Sequence, residues 1–296
     1  MIQQRVTQNS VANRAMTGLQ GNLARLSKLQ EQLSSGKQLS RPSESPAGTA
    51  TALQVRSDIR STQQYSRNAD NGLGWLATAD NALTSSLDLV RRVRELTLQG
   101  MSSGTASTPG AHEALAVEID NVRVQLISTA NARYGDRPVF GGTTSGGSAY
   151  SSAGVYTGET EAIQRTVGAN ARVRVDTDGP ATFGSGPNQL FTVLADLSQA
   201  LRTDPSALGA GLDRLDTATQ TLQTQLSDVG ARYNRLAQMR QTAEDRLLTL
   251  RTQLSDVEDI DLPETIMHLQ LQETAYQAAL GATARAVQPS LMDFLR

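Results

Sequence analysis

Apolar residues recur at heptad spacing along most of this chain. The longest unbroken series is Leu215, Leu222, Val229, Leu236, Ala243, Leu250 and Val257, flanked by Leu212, Leu226, Tyr233, Leu247 and Leu254. A period of seven keeps one side of a helix apolar, so this segment predicts a bundle or coiled-coil helix. A second long helix is predicted from about Ala47 to Gln99, where Val55, Ala69, Leu76, Leu83 and Val90 share a register and Gly72 and Gly74 mark a candidate interruption. Gly100, Gly104, Pro109 and Gly110 close it, and Leu115, Ile119, Val122 and Leu126 predict a shorter helix that folds back and reaches about Arg133. Another helix is expected from about Gln189 to Arg202, before Thr203-Asp204-Pro205.

The two ends carry weaker stripes. Leu19, Leu26 and Leu33, widened by Leu23 and Leu29, predict a helix from about Val6 to Leu33 that stops at Gly36. Near the other end Ile266, Leu280, Val287 and Phe294 hold one heptad position, interrupted by Glu273, and Leu262, Leu269 and Tyr276 hold a second. Asp261-x-x-Glu264 with Pro263 in the first turn predicts a capped start for this helix. Pro42 and Pro46 require an extended or turned connector after the first helix. Between the body helices the period changes: Ala162–Val167 and Arg172–Asp176 read as short strands around Gly168-Ala169-Asn170, behind the glycine-rich loop Gly141–Gly147.

The expected fold is therefore mainly α with a small β-rich insertion, an elongated helical bundle whose N- and C-terminal helices pair. The expected division is residues 1–40 plus 262–296 as a terminal coiled-coil domain, 44–140 plus 188–260 as a helical body, and 141–187 as a β-rich outer domain. The insertion, bounded by glycines, is expected to contribute little to the heptad core. Gapped stripes make the terminal helices marginal as an isolated pair, which points to burial against neighbouring subunits. In the first segment Arg5, Arg14, Arg25, Lys28, Lys37 and Arg41 face only Glu31, whereas Asp256, Glu258, Asp259, Asp261, Glu264, Glu273 and Asp293 dominate the last. Such a basic and acidic pair is expected to attract across its flanks.

Composition narrows the function. The chain has 296 residues and a formal net charge of −2, which lacks the basic footprint of a dedicated nucleic-acid binder. Only 4% of residues are aromatic, which suits long helices better than a large aromatic core. Without cysteine, disulfides, thiolate metal sites and cysteine nucleophiles are excluded. No stretch approaches the roughly 18 apolar residues of a membrane span, and the N-terminal residues contain no secretory apolar region. Gly36-Lys37 departs from the phosphate-loop pattern, with Glu31 in place of the earlier glycine and Gln38 after the lysine. Gly72-x-Gly74 lies in a helical pattern, and His112 and His268 stand too far apart to suggest a metal site. The acidic run Asp256–Asp261 lacks the glycine and glutamate of a calcium loop. No catalytic residue, cofactor or metal is expected.

Four segments resemble the flagellin family. Leu33-Ser34-Ser35-Gly36-Lys37-Gln38-Leu39-Ser40-Arg41-Pro42-Ser43-Glu44-Ser45-Pro46 is similar to the family's connector after the N-terminal helix, and Pro42, Ser43 and Pro46 give it the form of the hook–filament junction members. Asn131-x-x-Tyr134 through Phe140-Gly141-Gly142 resembles the entry to the β region, Arg94-Glu95-Leu96 a helix ending, and Ala275–Leu280 with Ser290–Leu295 the closing signature. The resemblance implies a bacterial structural protein exported through the flagellar type III apparatus. It implies a homo-oligomeric ring between the hook-side hook-associated junction protein and the flagellin filament, and an export chaperone. The alternative is a flagellin-type filament subunit, against which Pro42, Pro46 and the Asp293-Phe294-Leu295 ending argue. The assembly interface is expected to include Leu19, Leu23, Leu26, Leu29, Leu33, Ile266, Leu269, Tyr276, Leu280, Val287, Leu291, Phe294 and Leu295.

Overall fold

The structure, a computed structural model, describes the backbone of residues 8–102 and 109–287 and the side chains of 13–102 and 110–284. Its elements are α1 (Gln8–Ser35), α2 (Pro46–Met101), α3 (Pro109–Ala130), β1 (Arg133–Tyr134), β2 (Arg137–Pro138), β3 (Gln164–Gly168), β4 (Ala171–Arg174), α4 (Gly179–Phe183), α5 (Leu190–Thr203), α6 (Leu208–Glu258) and α7 (Leu262–Val287). The chain is mainly α with two small antiparallel two-stranded sheets, as the periods predict. It divides into two compact units, residues 1–60 with 248–296, and residues 61–247.

In the larger unit the heptad residues of α6 are the core: Leu215, Leu222, Val229 and Leu236 are all fully buried. They join Leu76, Leu83 and Val90 of α2, Ile119 and Leu126 of α3, and Leu194, Leu197 and Leu201 of α5 in one hydrophobic cluster. Helices α3 and α5 run antiparallel, fixed where Ser198 Oγ donates to the Ala116 carbonyl at 3.2 Å and Arg123 Nε to the Phe191 carbonyl at 3.0 Å.

The candidate interruption at Gly72 and Gly74 is not one; α2 continues through both. A Cβ at Gly72 would lie 2.8 Å from Leu236 Cδ1, and one at Gly74 would lie 2.6 Å from the Tyr134 hydroxyl. These glycines serve close packing, and burial of the partner side chains outweighs the cost of roughly 1 kcal/mol that glycine imposes on a helix.

The β-rich insertion also departs from expectation. Strands β3 and β4 pair antiparallel around the predicted turn, with a register shift between Thr166 and Gly168. Tyr150 and Phe183 are buried and contact Phe191 at ring-centroid distances of 5.0 and 5.5 Å, while Phe140 meets Phe183 at 5.1 Å. The segment thus contributes aromatic side chains to the core, because bulky rings spread over glycine-rich loops leave no period by which a sequence reading could count them.

The smaller unit contains α1, α7, the first turns of α2 and the end of α6. Helix α1 ends where Gly36 takes φ +69° and donates its N–H to the Gln32 carbonyl at 2.8 Å, a left-handed stop that a side chain disfavours. Ser45 Oγ accepts from Gly48 N at 3.1 Å and Pro46 begins α2, which needs no N–H from its first residue. At the other break Asp261 Oδ1 accepts from Glu264 N at 3.1 Å, as the capping pattern predicts.

Candidate assembly site

Helices α1 and α7 pack against each other along strict 4–3 spacing. The half-buried or buried positions on that spacing are Ala15, Leu19, Asn22, Leu26, Leu29 and Leu33 on α1, where Gly21 and Gln32 are also half-buried, and Thr265, Leu269, Gln272, Tyr276, Ala279 and Thr283 on α7. The pair is antiparallel: Gln272 Nε2 donates to the Asn22 carbonyl at 3.3 Å, and Lys37 opposes Asp259 at the far end. Six of those seam residues are polar or alanine-sized, so the seam buries little apolar surface for its length.

Of the expected interface residues, Leu19, Leu26, Leu29, Leu33, Leu269 and Tyr276 therefore lie in the seam, whereas Leu23 (50% exposed), Ile266 (37%) and Leu280 (44%) lie outside it. Val287 is the last residue of α7, and Leu291, Phe294 and Leu295 lie outside the described residues. Four further exposed apolar side chains belong to this surface: Met16, Leu262, Met267 and Leu271. Met267 and Leu271 fall off the heptad register, so a search for one stripe passes over them; counting apolar residues on every side of α7 would have found them. A helix apolar on more than one side is a helix awaiting burial on more than one side.

The expected attraction between a basic α1 and an acidic α7 is not realised within the chain: among the described residues no ion pair joins the two helices. Arg25 donates to the Gly21 carbonyl and Asn22 Oδ1 of its own helix, and Glu264 meets His268 of its own. Lys28 pairs instead with Glu44 in the connector at 3.1 Å, and that ammonium, with the Ser40 N–H, holds the Glu44 carboxyl below the usual range.

The remaining charges form a clasp between the two breaks. Gln38 N donates to the Glu258 carbonyl at 2.6 Å and Ile260 N to the Gly36 carbonyl at 3.2 Å, a short antiparallel bridge. Over it Lys37 Nζ reaches Asp259 Oδ1 at 2.6 Å and Glu258 Oε2 at 3.4 Å, and Arg56 Nη2 reaches the same Glu258 oxygen at 2.9 Å. Glu258 is buried, and two cations are what make its charge tolerable there. The hydrogen bond from Lys37 lowers the Asp259 pKa, and the same bond raises that of Lys37.

The other motif residues are structural. Ser35 Oγ accepts from Lys37 N at 3.2 Å, and Pro42 and Ser43 are the middle of a turn closed by Glu44 N to the Arg41 carbonyl at 3.0 Å. The Asn131 amide exchanges two hydrogen bonds with the Tyr150 backbone, at 2.9 and 2.8 Å, standing in for a strand partner. Tyr134 packs on Trp75 with centroids 5.6 Å apart, and Phe140 is fully buried in the aromatic cluster. Among the described residues no group of acidic, histidine or cysteine side chains could hold a metal ion, and no helix is long and apolar enough to cross a membrane.

Comparison with known proteins places this architecture. Residues 6–144 match the bacterial flagellin N-terminal helical region and residues 212–295 the bacterial flagellin C-terminal helical region. Flagellar hook-associated protein 3 of Escherichia coli is 25% identical over 293 residues, covering 90% of this chain and 92% of that protein. Flagellin of Bacillus subtilis is 29% identical over 127 residues, but there the alignment spans only 42% of the relative's length and 43% of this chain. Among solved structures, Bacillus cereus FlgL has a TM-score of 0.60 at 19% identity, covering 68% of this chain and 99% of that one. The flagellar hook associated protein-3 of Legionella pneumophila has a TM-score of 0.62 at 13% identity, covering 69% and 98%, and at such identities these two likenesses speak to the fold alone. With both terminal helical regions matched and the paired helices, breaks and motif residues in place, the chain belongs to the flagellin family.

Proposed function

We propose that this chain is a structural subunit of the bacterial flagellum, exported to the cell exterior, that forms the junction ring between the hook-side hook-associated protein and the flagellin filament. The observation that carries this reading is the extent of alignment: the chain runs alongside the Escherichia coli hook-associated protein 3 over 92% of that protein's length, against 42% for the Bacillus subtilis flagellin. Residues 1–40 with 262–296 act as the assembly element, residues 44–140 with 188–260 as the body, and 141–187 form the outer face. The partners are further copies of the chain, the hook-side junction protein, flagellin and an export chaperone. A seam poor in apolar surface, beside exposed apolar residues on several sides of α7, supports the assembly role, since these helices gain most of their burial from neighbours. The chain is a structural protein rather than an enzyme.

The test is an image of flagella carrying the tagged protein, together with a strain lacking it. A single band between hook and filament, and secreted flagellin with bare hooks in the deletion strain, are expected. Labelling along the whole filament would make the chain a filament subunit instead.

A further inference from the structure

The exposed residues of the α1–α7 pair fall on two unlike faces. At 3.6 residues per turn, Met16 and Leu23 lie on one side of the α1 seam, while Arg14, Arg25 and Lys28 lie on the other. On α7, Ile266, Glu273 and Leu280 lie on one side and Leu271 on the other. Arg25, Lys28, His268 and Leu271 line one groove, which fixes the sides that belong together. The pair therefore has an apolar front with a single carboxylate, Glu273, and a back on which Arg14 and Arg25 stand beside Lys28, paired to Glu44, and Glu264, which meets His268. The Gln272–Asn22 bond places Glu273 and Arg25 about one helical turn apart along the pair, on opposite faces. Neither has an oppositely charged partner among the described residues.

We propose that the front of one copy seats on the back of the next, with Glu273 of one copy paired to Arg25 of its neighbour. The occupant is a second copy of this chain because each chain carries both complementary halves. Contact between two like faces would instead set Glu273 against Glu273 or basic side chains against each other, which is repulsive. A front-to-back contact is heterologous, and repeated contacts of that kind close into a ring or continue as a helical array. The charge asymmetry that forms no ion pair between α1 and α7 within one chain is thereby satisfied between chains. This inference rests on the reading of α1 and α7 as the assembly element.

The full-length chain, concentrated at low ionic strength with polyethylene glycol, is followed by sedimentation velocity as wild type, Arg25→Glu, Glu273→Arg and the double variant. Each single reversal should weaken self-association by about tenfold or more, and the double reversal should restore it to within about threefold of wild type. Because the chain has no cysteine, a second readout is clean. Leu23→Cys protein mixed with Leu271→Cys protein should give the mixed disulfide dimer under mild oxidation, with few dimers of either variant alone. Wild-type multimers that ignore the reversals, or a double variant weaker than either single one, would overturn the pairing and leave the assembly reading standing. A wild type that stays monomeric throughout would overturn the assembly reading itself.

Discussion

A pair of identical substitutions separates folding from assembly. Leu222→Lys places an ammonium at a position with 0% exposure in α6, within the hydrophobic core cluster. Truncating a buried leucine costs roughly 2–5 kcal/mol, and desolvating the charge adds to it, so about 4 kcal/mol is a conservative figure. That is a large share of the roughly 5–15 kcal/mol that holds a domain together. Leu280 is 44% exposed, so little more than half its surface is covered in the isolated chain. Full burial of a leucine contributes about 1.5–3 kcal/mol, so Leu280→Lys forfeits about 1 kcal/mol, and its ammonium stays in water. Leu222 lies in the larger unit and Leu280 in the smaller. At about 2–4 °C per kcal/mol for the larger and about 4–8 °C for the smaller, Leu222→Lys should lower the melting temperature of its unit by roughly 8–16 °C and Leu280→Lys that of its own by roughly 4–8 °C. Circular dichroism melts of dilute protein give these shifts, and sedimentation of concentrated protein gives the second half of the prediction. Leu280→Lys should abolish multimers that wild type forms, since it sets a cation against the side of the next copy that bears Arg14 and Arg25. Equal losses of melting temperature for the two variants would show that α7 is ordinary core and would refute the separation.

Three further outcomes follow from the packing. Gly72→Ala and Leu236→Ala should each destabilise, yet the double variant should cost about 1–2 kcal/mol less than their sum, because the added methyl occupies space that Leu236 vacates; urea unfolding checks this, and additive costs would deny the contact. Lys37 lowers the folded pKa of Asp259, so the clasp's contribution is present above the ordinary carboxylate range and is lost as pH falls through the lowered value; the raised Lys37 pKa likewise removes it only as pH rises beyond the ordinary lysine range. An NMR titration should show Asp259 returning towards an ordinary carboxylate pKa in Lys37→Ala, and an unchanged titration would contradict the pairing. Replacing residues 145–184 by a short linker should lower the melting temperature of the remaining helices, since it removes Tyr150 and Phe183 from the core; an unchanged melt would mean the aromatic cluster is dispensable.

Local physics made much of this fold legible. The 4–3 recurrence of leucines defines α6 and its buried side, and Gly36, Pro46 and Asp261 place helix ends because each acts on backbone within one turn of itself. The same locality let Gly168-Ala169-Asn170 announce the β3–β4 hairpin. What a helix packs against is not local, and there the tertiary structure decided. Only the position of Tyr134 and Leu236 shows why α2 runs straight through Gly72 and Gly74, and only convergence in space turns Phe140, Tyr150, Phe183 and Phe191, scattered over 52 positions, into one cluster. The terminal helices show the limit most clearly. Periodicity states that one side of α7 is apolar, but a helix with apolar residues on several sides has several possible seams. Contact with α1 selected the side bearing Thr265, Gln272 and Thr283 and left Ile266 and Leu280 in solvent. Charge behaves likewise: the sequence holds a basic and an acidic end, but ion pairs need side chains within about 4 Å, and the folded chain brings those together at the clasp rather than along the helices.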